Sequence, residues 1–224
     1  MTNLLHISIA YRLAALQLMT AEAGYFSQQL HLHVKLPITP ADVSGYVSPP
    51  RMGFGGTLKT TNVVFAFNQQ GQLWSVYCHD GFQLQNPTDI QAYPRLTALT
   101  SIIDEAGAYH LATQWLASVQ FDVVALEKKY GHRTWQEIYY DPPLPLDKLD
   151  APPASSKKIP LPIFQVAWGA ADIPPVQVTV FGATKELIEI RAMDTSLSRR
   201  PSLVVTNALV LDAIPDPPKA LPGR

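Results

Sequence analysis

The single cysteine of the chain, Cys78, is followed directly by His79 and Asp80. On a strand, adjacent side chains point to opposite faces, so Cys78 and His79 cannot serve each other as nucleophile and base. Asp80 returns to the side of Cys78, where a carboxylate raises a thiol pKa rather than activating it. Thiol chemistry at Cys78 therefore needs a histidine from elsewhere, His110 or His132, and a partly buried structural cysteine is the competing reading. His31 and His33 form an H-x-H pair. If that stretch is extended, both imidazoles share a face and can ligate zinc or nickel, with further ligands from His6, His79 or an acid. If it closes a helix, the same two histidines suit the helix dipole.

The segment Arg51 to Thr60, "RMGFGGTLKT", places three glycines before a lysine. A phosphate loop needs G-x-x-x-x-G-K-[ST] leading into a helix, whose first N–H groups face the anion. Here Thr57 and Leu58 separate Gly56 from Lys59 and a strand pattern follows, so the glycines read as a backbone lead-in to a hairpin with Lys59 on its surface. The carboxylates are no better matched to catalysis. Asp104 and Glu105 open a helix, Glu186 and Glu189 fall on opposite faces of a strand, and Asp141, Asp147 and Asp150 decorate a proline-rich passage. No G-x-S-x-G elbow, H-E-x-x-H pair or dinucleotide fingerprint occurs.

Aromatic residues offer a different chemistry. Trp74, Trp115, Trp135, Tyr139, Tyr140 and Trp168 combine area with a polar handle, the combination that binding surfaces favour. Trp115 and Trp168 lie in apolar patterns that read as core. Trp135, Tyr139 and Tyr140 precede a proline-rich passage and form the candidate binding surface.

The bulk properties limit the partners. A net charge of -1 supplies no field to gather phosphate backbones, which argues against nucleic acid. One cysteine excludes an internal disulfide framework and a four-cysteine zinc site, and no cofactor is implied. No uncharged apolar run reaches the ~20 residues of a membrane span. The N-terminus lacks a basic region and carries Arg12 within its apolar stretch, so a cytoplasmic location is the default expectation, with export the alternative if a leader lies upstream.

These side chains must be held by elements the periodicity predicts. From Ser8 to His31, Ala14, Leu18, Ala21 and Tyr25 recur at helical spacing, with Arg12, Gln17, Glu22 and Gln28 off the stripe. "DVSGYVS" makes a short strand, and "NVVFAFN" with "LWSVYCH" around "QQGQ" makes a hairpin with Val63, Phe65 and Phe67 on one face. A second long helix runs from a Ser101 and Asp104 cap through Ile102, Ala106, Tyr109, Ala112, Leu116, Val119, Val123, Leu126 and Tyr130 to Gly131. A short strand at "TWQEIYYD" leads into the proline-rich passage, and "IFQVAWG", "PVQVTVFGATKELIEIRAM" and "SLVVTNALVLDAI" supply the remaining strands. The predicted class is therefore α+β, in two repeated modules, each a long helix on an antiparallel sheet of about three or four strands. Residues 1–95 form the first module, 96–214 the second with a proline-rich insertion at 141–162, and 215–224 a tail.

This ordered helix-plus-hairpin arrangement, with "NQQGQLWSVY" and its Leu73 as the nearest local match, resembles the PepSY-like and cystatin-like modules of bacterial proteins. The resemblance covers most of the chain as topology. It implies a noncatalytic binding, inhibitory or accessory role. The expectation is accordingly a protein acting through a protein or peptide contact surface at Trp135, Tyr139 and Tyr140, with a homodimer as one arrangement. The competing class is a small hydrolase or thiol-dependent enzyme built on Cys78 or a histidine cluster.

Overall fold

The computed structural model describes residues 2–47, 55–78, 93–141, 156–170 and 172–205. Helix α1 spans Thr2–Gln29. Its buried face is formed by Ala10, Ala14, Ala15, Met19, Ala23 and Phe26, with Leu30 just beyond. This face is rotated from the expected stripe: Ala21 is exposed, whereas Thr20, Glu22 and Ser27 are buried. The polar side chains tolerate burial because each is satisfied. Thr20 Oγ1 donates to the Gln17 carbonyl and Ser27 Oγ to the Ala23 carbonyl, both at 2.8 Å, and Glu22 accepts from Arg200. The helix ends in a left-handed turn at His31, φ 52°, with Leu32 N donating back to the Ser27 carbonyl.

Four strands follow: β1 (Gly45–Val47), β2 (Gly56–Lys59), β3 (Val63–Phe67) and β4 (Leu73–Cys78). Gly55 and Gly56 hold φ values of 123° and 125°, which side-chain-bearing residues rarely adopt, so the glycines serve the backbone at the start of β2. Asn68 closes the β3–β4 turn by accepting from the Gln70 and Gln72 N–H groups. After the short α2 (Tyr93–Leu96) come α3 (Glu105–Ser118) and α4 (Val123–Tyr130).

The predicted single helix is thus two helices. Gln120 adopts φ 65° between them, and Asp122 starts α4 by accepting from Ala125 N at 3.0 Å. Asp104 caps α3 through Gly107 N at 2.8 Å. Asp194 anchors the far end of α4, accepting from Lys129 Nζ at 2.8 Å and Tyr130 Oη at 2.6 Å.

The last four strands are β5 (His132–Asp141), β6 (Lys157–Trp168), β7 (Val176–Phe181) and β8 (Glu186–Ala192). The end of the passage expected to be irregular is therefore strand: β6 contains Pro160 and Pro162. The ladder absorbs them through a register shift between Gln136 and Ile138, where Gln136 Nε2 donates to the Leu161 carbonyl at 2.7 Å. Residues 142–155 of the expected insertion, the tail, His79, Asp80, Gly53 and most of the expected last strand lie outside the described residues.

The eight strands make one antiparallel sheet in the order β1-β2-β3-β4-β8-β7-β6-β5. This overturns the expectation of two separate modules. β4 pairs directly with β8 through Ser75↔Arg191, Val76↔Ile190 and Tyr77↔Glu189, so the two runs of strands share a backbone ladder. They also share a core: Met19 and Phe26 of α1, Phe65 and Val76 of the first run, Leu116 of α3 and Val166, Trp168, Val178 and Ile190 of the second belong to one apolar cluster. A smaller cluster of Leu96, Leu161, Ile163, Phe181 and Ile188 lies apart from it, with Tyr77 and Tyr139 packed alongside.

Candidate functional site

β5 is rich in the residues that favour a pleated surface, Thr134, Trp135, Ile138, Tyr139 and Tyr140. Its position matters more than its composition. Among the described residues it is the terminal strand of the sheet, ten residues long, whereas the strand at the opposite edge, β1, has three. Trp135, Tyr139 and Tyr140 are all half-buried on it. The Arg133 guanidinium stands 5.1 Å from the Trp135 ring centre and the Lys158 ammonium 6.0 Å from that of Tyr140. Tyr139 packs against the smaller apolar cluster, which makes it the anchor of the three.

Two polar arrangements adjoin this edge. Opposite Trp135 on β6 sits Gln165, whose Oε1 accepts from Gln177 Nε2 at 2.7 Å and Thr179 Oγ1 at 2.8 Å, while Arg191 donates to Gln177 Oε1. The row runs from the edge to the middle of the sheet, ending beside Glu189, where burial pushes the carboxyl up from its ordinary range and Arg191 opposes the shift.

The second arrangement centres on Glu127 of α4. Its Oε1 accepts from Tyr109 Oη at 2.8 Å and Trp168 Nε1 at 2.6 Å, and its Oε2 lies 2.9 Å from His132 Nδ1. His132 and Trp168 are the first cross-strand pair of β5 and β6, so one carboxylate clamps both members of the rung that sets the register of the edge strand. Burial works against the charge on Glu127, yet the three donors outweigh it and hold its pKa below the usual value. Burial first, then the bond to this carboxylate, pushes the Tyr109 phenol up to about 12. His132 stacks on Tyr109 with ring centres 4.0 Å apart. Sequence reading missed this cluster, although Glu127 and His132 flank the helix-stopping Gly131, a spacing that returns the chain over the last helical turn.

The remaining candidates meet elsewhere. His31, His33 and Cys78 line one cleft of about 250 Å³ together with Trp115, Lys185 and Glu186. His132 is held by Glu127, a ring nitrogen of His110 lies 2.9 Å from Gln114 Nε2, and neither lines the cleft that holds Cys78. The histidines brought to that cleft are His31 and His33, carried there by the turn that ends α1. Among the described residues, no group of three or more histidine, cysteine, aspartate and glutamate side chains is arranged to hold a metal ion. Of the tryptophans read as core, Trp168 is fully buried, and Trp115 is half-buried, packs against the main cluster and also forms part of the cleft wall. Among the described residues no helix is long and apolar enough to cross a membrane.

Comparison with protein-family models, with curated proteins and with solved structures finds no match.

Proposed function

We propose that the protein is a noncatalytic binding or accessory protein that takes an extended polypeptide segment along β5. The observation that carries this reading is the placement of a ten-residue, aromatic-rich strand at the end of the sheet. A terminal strand presents backbone N–H and C=O groups on its outer side, and adding a strand there satisfies them in a ladder. Trp135 and Tyr140 then supply side-chain contact area, with Arg133 and Lys158 fixing their faces. A net charge of -1 supports a protein rather than a nucleic-acid partner.

Selection of extended peptides from a random displayed library tests this reading. Selected peptides should slow hydrogen exchange at the β5 amides and lose affinity for the W135A and Y140A variants, which keep the thermal unfolding of the parent. Binders that leave β5 exchange unchanged would refute it.

A second reading, a thiol-dependent enzyme, is supported by the cleft that Cys78 shares with His31 and His33. In that case alkylation of Cys78 by iodoacetamide should be fast at neutral pH and slow markedly in H31A/H33A, because an imidazole generates the reactive thiolate. Equal rates in both proteins would remove this alternative.

A further inference from the structure

We infer that the segment added to β5 is β5 of a second copy of this chain, paired antiparallel about a two-fold axis. The inference rests on the reading of β5 as a strand-accepting edge and names its occupant. A two-fold axis perpendicular to an antiparallel pair preserves the faces of both strands. One residue must therefore lie opposite its own copy, and the remaining pairs follow from that choice.

The sequence of β5, "HRTWQEIYYD", distinguishes the centres. Centring on Glu137 sets two carboxylates against each other, which is unfavourable for residues directly opposite. Centring on Gln136 sets Trp135 against Glu137 and Arg133 against Tyr139, leaving the acid without a cation. Centring on Trp135 sets Arg133 against Glu137 twice, once on each side of the axis, with the two indoles meeting between them. Arg133 already stands over its own Trp135 ring. The result is an aromatic pair flanked by two opposite-charge pairs on one face, which is the favourable combination for cross-strand neighbours. The ladder overlaps residues 132–138 and continues the eight-stranded sheet into a second copy. Among the described residues the other edge offers three residues, too few for a comparable ladder.

The charge pairs give the test. Sedimentation equilibrium of the full chain over a wide concentration range should show a monomer–dimer equilibrium. Arg133→Glu and Glu137→Arg should each weaken association by roughly tenfold or more, because each places like charges opposite one another twice. An equimolar mixture of the two variants should restore dimers, since one copy then presents two acids at these positions and the other two bases, so that both cross-strand pairs again join opposite charges. Thermal unfolding checks that the variants fold, and R133Q and E137Q, which remove charge without reversing it, should weaken association less. Dimers that persist unchanged in both charge-reversed variants would place the interface elsewhere and overturn the inference. A wild-type chain that stays monomeric while selected peptides still protect β5 would overturn self-pairing and leave the strand-accepting reading standing. Monomer with no peptide protection at β5 would remove both.

Discussion

The Tyr109 hydroxyl donates to Glu127 across 2.8 Å, joining α3 to α4 on either side of the break at Gln120. Because burial and this bond both favour the neutral phenol, its pKa is about 12, above the ordinary 10. The folded protein thus holds this proton more tightly than the unfolded chain. The stabilisation is fully present below pH 10 and is lost as pH rises from 10 through 12. Absorbance at ~295 nm should show a late phenolate step that Tyr109→Phe removes, and that variant should lose less stability than the parent across the same interval. A folded-state titration above about pH 11 that Tyr109→Phe leaves unchanged would contradict the bond.

Arg200 donates through Nε to Glu22 Oε1 at 2.9 Å and through a second nitrogen to Oε2, and its guanidinium lies 3.9 Å from the Tyr25 ring centre. Glu22 is only 7% exposed, so deleting the cation strands a buried carboxylate. Arg200→Met should destabilise by about 3 kcal/mol in urea titration, whereas the double change Glu22→Met with Arg200→Met should recover most of that loss. Additive costs in the double variant would show that the pair is not coupled.

Leu116 has no exposed surface and sits among residues of α1, α3 and both strand runs, whereas Val124 on α4 is 80% exposed. Leu116→Ala should cost about 3 kcal/mol, and Leu116→Asp more. Val124→Ala should stay within about 0.5 kcal/mol. Denaturant midpoints that moved equally for both alanine variants would contradict the packing described.

His31 and His33 share a cleft with Cys78, but the described side chains do not form a three-ligand set there. A high-affinity zinc site needs such a set. Calorimetric zinc titrations of the parent and of H31A/H33A should therefore be indistinguishable. Stoichiometric binding abolished by the double change would establish a metal site.

What could be read from the sequence follows the range of the forces involved. The β3–β4 hairpin was legible because Val63, Phe65 and Phe67 alternate around a turn whose Asn68 and Gly71 act locally, and the start of α3 because Asp104 caps its own helix. The division between α3 and α4 was hidden in an unbroken helical period: nothing in Gln120 announces a left-handed backbone, and Asp122 reads equally well as a surface residue. The single sheet was hidden for a different reason. Its seam pairs Ser75 with Arg191 and Tyr77 with Glu189, polar combinations that alternation in either strand does not specify. At the candidate site, the aromatic run of Trp135, Tyr139 and Tyr140 before the proline-rich passage was visible, but the terminal position of their strand is a property of the whole sheet. The meeting of His31, His33 and Cys78 likewise depends on tertiary packing that brings the end of α1 to the end of β4.

The seam between β4 and β8 also sets an order of events during synthesis. Ser75 leaves the ribosome long before its partner Arg191, and closing a loop of that length costs entropy that only the completed pairing repays. Until β8 emerges, β4 presents an open ladder, and Met19 and Phe26 lack the part of the core that Leu187, Ile190 and Ala192 of β8 contribute. Nascent chains truncated just before Glu186 should therefore be held by chaperones, and those extended past Ala192 released. Folding of the second run of strands is the event that ends the vulnerability of the first.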